Sequence, residues 1–235
     1  MSLLRIPLVL SSAVALQVAV TPPHTASTEE LFRPSTIGSY FTKARYASQT
    51  IYGLYWAGAL AEIATMIAHR IDSSKVPPVL RATSEALRKF ADVPISPSFL
   101  VGSGLVISGG CIRWVCYRVL GRHFTFLLSV RKDHQLITTG PYAIVRHPSY
   151  SGMMMVCIGV IILHGSRNSW LRASGVSRIP GVLPLVIAGG AACAVVNAAL
   201  FRRMKREDKM MHSAFREEWE AWARKVKYLI IPGVY

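Results

Sequence analysis

His134-Gln135-Leu136-Ile137-Thr138-Thr139-Gly140-Pro141-Tyr142-Ala143-Ile144-Val145-Arg146-His147-Pro148-Ser149-Tyr150-Ser151-Gly152 is polar and turn-rich, yet it runs directly into an apolar segment beginning at Met153. Two His, two Tyr and an Arg therefore stand at the mouth of a membrane helix. Ionisable groups at such a depth are costly and mark function by default. Gly140-Pro141 signals a turn. Pro148 suits the first turn of a helix, where its missing N–H would be unpaired anyway. That helix presents free amides and a positive dipole end at the membrane surface, a geometry able to hold a polar or anionic ligand. Gly152, in its first turn, permits close approach of a ligand or another helix. The bland alternative is an interfacial anchor of Tyr, Arg and His capping a helix end; an anchor does not require this order and spacing.

Outward from this stretch, the chain reads as a membrane protein. Of its 235 residues 51% are hydrophobic and only 17% charged, unusually apolar for a soluble enzyme. The net charge of +15 does not imply nucleic acid, because the basic residues are scattered between apolar blocks and no recognition helix or zinc pattern is present. Five segments qualify as spans: Leu3–Val20, Tyr46–Ala68, Pro97–Tyr117, Pro148–Gly165 and Ile179–Phe201. The first, with Arg5 at its start, reads either as a retained helix or as a secretory signal peptide. The expected fold is all-α and integral to the membrane, with about five transmembrane helices and a C-terminal interfacial helix completing a site. Residues 1–96 form an N-terminal unit of helices and loops, and residues 97–235 the core.

With five spans, the 21–45 loop, the 118–147 loop and the tail share one side and carry 17 Lys and Arg, against 9 on the other. The richer side is expected to be cytosolic. Within 70–96, Val79, Leu80, Leu87 and Phe90 line one face of a short interfacial helix. Glu62, inside the second span, either faces a polar cavity, pairs with Arg113 or lies near an end. The four cysteines form no CxxC pair, and the histidines show no metal spacing, so no metal is expected.

Past the fifth span come Arg202-Arg203-Met204-Lys205-Arg206-Glu207-Asp208. Arg203 and Glu207, four apart, share a helix face. They read either as a surface ion pair or as a substrate-carboxylate anchor beside an acceptor for a cofactor amine or hydroxyl. Phe215, Trp219 and Trp222 fall on one face of an amphipathic helix.

These residues resemble the isoprenylcysteine carboxyl methyltransferase family. The matching pattern is His134-x-Leu136-x-Thr138-x-Gly140-Pro141-Tyr142 and Arg146-His147-Pro148-x-Tyr150-x-Gly152. Arg203-x-x-x-Glu207-Asp208 and Phe215-x-Glu217-Glu218-Trp219 follow. The resemblance covers about 130–235. It departs at Arg216, where the family often has Gly, at Trp219, where it often has Tyr, and in a tail that lacks the first Pro of the usual ending. It implies an S-adenosylmethionine site contacted by His134, Gln135, Leu136, Ile137, Tyr142, His147, Pro148, Ser149, Tyr150 and Glu207. Arg203 would meet the substrate carboxylate, as binding and catalytic residue. The implied reaction is methyl esterification of the prenylcysteine at the C-terminus of prenylated proteins. It would take place in a multi-pass membrane protein of the endoplasmic reticulum, in contact with membrane lipid and with the site facing the cytosol. A phospholipid or small-thiol methyltransferase, or a non-catalytic membrane scaffold, are the alternatives.

Overall fold

The computed structural model describes residues 2–21, 23, 37–72, 74, 76–121, 124 and 135–234, and among these the fold is helical without strands. The helices are α1 (Arg5–Val20), α2 (Ile37–Ala68), α3 (Pro78–Arg88), α4 (Pro97–Leu120), α5 (Pro148–Gly165), the short α6 (Trp170–Ala173), α7 (Val182–Phe215) and α8 (Glu217–Lys225). Four helical segments are long and apolar enough to cross a membrane: Ser48–Ala68, Pro97–Leu120, Pro148–Ala173 and Val182–Phe215. The first apolar segment differs from expectation. It folds as a 16-residue helix, about 24 Å long at the usual rise, short of a hydrocarbon core of about 30 Å.

The ends of these helices follow local chemistry. Ser96 caps α4, its Oγ accepting from Phe99 N at 3.2 Å, with Pro97 in the first turn. Pro148 opens α5 as its sequence position predicts. Between α7 and α8 the chain breaks at Arg216, whose φ of 42° is a conformation that suits glycine. Phe215 thus ends one helix while Trp219 and Trp222 belong to the next, so the expected single stripe is split.

The core is the crossing of α4 and α5. Gly152 lies so close to α4 that a Cβ on it would stand 2.7 Å from the Gly109 carbonyl oxygen, and a Cβ on Gly159 equally close to that of Gly102. The close approach expected at Gly152 is therefore to another helix. Small residues permit such contact where lipid offers no hydrophobic drive. α1 packs on the same helix, with Gly110 of α4 against Ala15. Ala15, Leu16, Ala19, Val106 and Val156 form one buried cluster; Val9, Ala13, Ala59 and Phe99 form another.

Polar ties clamp both ends of α1. At the α5 N-terminal end, Arg113 donates through Nε to the Ala19 carbonyl at 2.7 Å and through Nη1 to Ser149 Oγ at 2.9 Å, while Tyr117 donates to the same Ala19 carbonyl at 3.0 Å. At the other end, Arg5 pairs with Glu62 at 2.7 Å and donates to the carbonyls of Val93 and Pro94. Glu62 is thus held by Arg5 rather than by Arg113. α7 is attached more lightly: it packs on α5, and Met204 is its buried residue. α3 leaves Val79 83% and Leu80 53% exposed, while Leu87 is half-buried and Phe90, expected on the same face, lies past the end of the helix at Arg88.

Candidate functional site

The motif loop folds into a tight turn. Gly140 takes φ 61°, and Gly140–Ala143 form a 3-10 helix in which Tyr142 N donates to the Thr139 carbonyl at 3.2 Å. The chain then pairs with its own C-terminal tail: Arg146 N donates to Tyr228 O at 2.9 Å, His147 N to Leu229 O at 2.8 Å, and Ser151 Oγ to Ile230 O at 2.6 Å. Trp222 of α8 donates to the Tyr142 carbonyl at 3.1 Å. Buried Val226 and Ile230 anchor this tail.

Onto this frame α7 brings its charged face. Asp208 accepts from Arg146 Nη1 at 2.8 Å and from His147 Nε2 at 3.0 Å. Glu207 accepts from the Tyr150 hydroxyl. Arg203 Nε stands 3.7 Å from Glu207, and its guanidinium lies over the Tyr150 ring at 6.0 Å. The rings of His147 and Tyr150 stack nearly parallel, 5.3 Å apart. His147, Tyr150, Arg203 and Glu207, separated by more than fifty positions, thus form one cluster at the N-terminus of α5.

The other expected residues divide. Pro148 and Ser149 are buried in the first turn of α5, and Ser149 is engaged by Arg113 from behind. The Tyr142 phenol is hydrogen-bonded to Cys116. Burial first, then Cys116 and the negative charge of Glu207, push its pKa well above the ordinary phenol value. Gln135 is exposed and Leu136 and Ile137 half-buried in the segment leading to the turn; no hydrogen bond joins them to Glu207 or Asp208 among the described residues. His134 lies outside the described residues.

Four residues that the family pattern did not assign to a ligand prove central to the geometry: Arg146, Asp208, Arg113 and Trp222. Arg146 and Asp208 stood inside the quoted pattern, the second as an acid next to Glu207 in an otherwise basic run. Arg113 was read only as an alternative partner of Glu62, and Trp222 only as part of an apolar stripe. The cluster pairs one cation with each carboxylate, Arg203 with Glu207 and Arg146 with Asp208. Arg203 and Glu207 thus present a cation and a carboxylate side by side at the N-terminus of α5.

Residues 102–173 match the model of the isoprenylcysteine carboxyl methyltransferase (ICMT) family. That match begins farther upstream than the quoted motif, taking in most of α4 with the loop and α5; Arg203 and Glu207 fall beyond it. Protein-S-isoprenylcysteine O-methyltransferase B of Arabidopsis thaliana is 38% identical over 64 residues, 26% of this chain and 32% of the relative. The protein-S-isoprenylcysteine O-methyltransferase of Saccharomyces cerevisiae is 36% identical over 66 residues, 27% of this chain and 28% of its own length. The Schizosaccharomyces pombe protein of that name is 33% identical over 90 residues, 33% and 38% respectively. The matched part of the chain thus spans about a third of the length of these curated relatives.

Proposed function

We propose that this chain is a membrane methyltransferase that esterifies the α-carboxylate of a prenylcysteine, using S-adenosylmethionine as methyl donor. One observation carries the reading: the cluster in which His147 and Tyr150 of the motif meet Arg203, Glu207 and Asp208 of α7. Its donor set fits the amino-acid end of the cofactor. Glu207 is placed to take the amine, and the aromatic faces of Tyr150 and His147 suit the sulfonium and adenosyl portions. Gln135, Leu136, Ile137, Tyr142, Pro148 and Ser149 complete the proposed contacts, with His134 next to them in sequence. When bound, S-adenosylmethionine supplies an electrophilic methyl group.

The residues of the chain have orienting tasks. An α-carboxyl of pKa about 3.5 is already ionised at neutral pH, so no general base is needed. Arg203 holds that carboxylate and aims an oxygen at the methyl carbon. Asp208 fixes Arg146 and His147, and so the first turn of α5. The C-terminal tail and α8 close the loop from the aqueous side and exclude water from oppositely charged reactants. The prenyl chain enters from lipid between helices.

The site is assigned to the cytosolic face of the endoplasmic reticulum membrane, on the side richer in Lys and Arg. The position of Ala19 supports this: α1 ends beside Arg113 and Ser149, on the side of the motif. The test is transfer of radiolabel from S-adenosylmethionine to a farnesylated cysteine analogue by the purified chain in phospholipid. Base-labile label on the analogue is expected. Transfer to phosphatidylethanolamine instead moves the assignment to a phospholipid methyltransferase, and absence of both transfer and donor binding leaves a scaffold.

A further inference from the structure

At the end of the bundle opposite the motif lies a cavity that methyl transfer does not use. At about 1.5 Å per residue, α1 carries Arg5 and Ala19 about 21 Å apart. Ala19 belongs to the motif end through Arg113, whereas Arg5 lines this cavity together with Ser12, Ser103 and Trp170. Its interior of about 70 Å³ has room for several heavy atoms, since one water occupies roughly 10–15 Å³.

Three buried polar atoms on these walls have no hydrogen-bond partner among the described residues: Ser12 Oγ, Ser103 Oγ and Trp170 Nε1. Ser12 and Ser103 are each 1% exposed and Trp170 9%. Leaving such groups unmade is costly, and more so where no water competes. The charges here are already matched, Arg5 with Glu62 and with two backbone carbonyls. An ion therefore finds no uncompensated partner, while an uncharged oxygen finds two hydroxyls and an indole donor.

The mouth decides the source. Gly58 is in the cavity wall and is also exposed on the outer surface of α2. It stands midway along the span Ser48–Ala68, at hydrocarbon depth. A Cβ at Gly58 would meet nothing within 4 Å, so no side chain covers the wall at this point. Access at that level admits lipid-soluble molecules from the bilayer. We propose that this cavity binds a lipid carrying a small uncharged hydroxyl head, the apolar body leaving beside Gly58.

The experiment uses the whole chain in phosphatidylcholine nanodiscs, irradiated with a diazirine-bearing long-chain primary alcohol and mapped by mass spectrometry. Saturable labelling of cavity residues is expected. It falls about tenfold when two hydroxyl partners are removed in Ser12→Ala/Ser103→Ala, and also in Gly58→Leu, which places a side chain over the exposed part of the wall without a clash at its Cβ. Competition with unlabelled long-chain alcohol and with diacylglycerol identifies which lipid supplies the hydroxyl; displacement by neither overturns the proposal. So does equal labelling by a hydrocarbon probe lacking the hydroxyl, label that survives both variants, or the absence of saturable labelling that a water-filled cavity would give. Methyl transfer concerns the other end of the bundle, so its outcome and this one are read independently.

Discussion

His147 Nε2 donates to Asp208 Oδ1 at 3.0 Å, joining the first turn of α5 to a point on α7 sixty-one positions later. The same carboxylate takes Arg146 through its other oxygen at 2.8 Å. One acidic side chain thus docks the lightly packed α7 onto the core and sets the motif loop against it. Asp208→Asn keeps the shape and removes the charge. It is expected to cost about 1–3 kcal/mol of stability, read as a lowered unfolding midpoint in detergent, and to weaken S-adenosylmethionine binding by calorimetry. Unchanged values for both would remove Asp208 from the site.

Arg203 is assigned to the substrate and not to the frame. Arg203→Ala is expected to lower kcat/KM for the farnesylated cysteine analogue about a hundredfold or more, the loss of a charge-assisted hydrogen bond made to a carboxylate. Binding of the methyl donor should change far less. A matching loss of donor affinity would place Arg203 in the donor pocket instead.

The helix crossing tolerates no added volume. Gly152→Ala places a methyl 2.7 Å from the Gly109 carbonyl, in contact with backbone that cannot rotate away. The expected cost is about 1–3 kcal/mol, seen in thermal unfolding, together with loss of activity because Tyr150 shifts with α5. Gly104→Ala, on the same α4 but facing open space, serves as the control.

Arg216 is expected to be improvable. Its φ of 42° is strained for a residue with a Cβ. Arg216→Gly should stabilise the chain by about 1 kcal/mol, measured as a raised unfolding midpoint. A lowered midpoint would show that the arginine side chain outweighs its backbone.

Alkaline pH tests the burial of Tyr142. Its folded pKa lies above the ordinary phenol value near 10, so the stability associated with its protonated form is complete below that pH. As pH rises past the unfolded pKa, ionisation favours the unfolded chain, by about 1.4 kcal/mol per pH unit until the folded pKa is reached. The difference in unfolding free energy between wild type and Tyr142→Phe should therefore be flat from pH 7 to 9 and slope above 10. A slope beginning below pH 9 would contradict a buried phenol.

Periodicity and length made the apolar helices legible, because a membrane span must satisfy its backbone internally and so shows as a long unbroken run. The start of α5 was legible from Pro148 for the same kind of local reason. The convergence of Tyr150 with Glu207 could be expected only through the family pattern, since nothing in either segment alone specifies the other. Glu62 illustrates what local reading misses: of its three alternatives the cavity is the one observed, since Glu62 lines it beside Arg5, whereas Arg113 is occupied by Ala19 and Ser149, and the partner Arg5 is set by the packing of α1 on α2. The break at Arg216 had its one signal in the family pattern, which often has Gly where this chain has an arginine with φ 42°.

α7 runs unbroken from Val182 to Phe215, about 51 Å at the standard rise against a hydrocarbon core of about 30 Å. It is one rod with two characters, apolar as far as Phe201 and charged where Glu207 and Asp208 sit. Without an intervening joint, any lean of the lipid-bathed part must swing the acidic pair by the same angle. Under the proposed function, a tilt of α7 set by membrane thickness would turn Glu207 and Asp208 against the Arg146 and His147 contacts, which act as the stop.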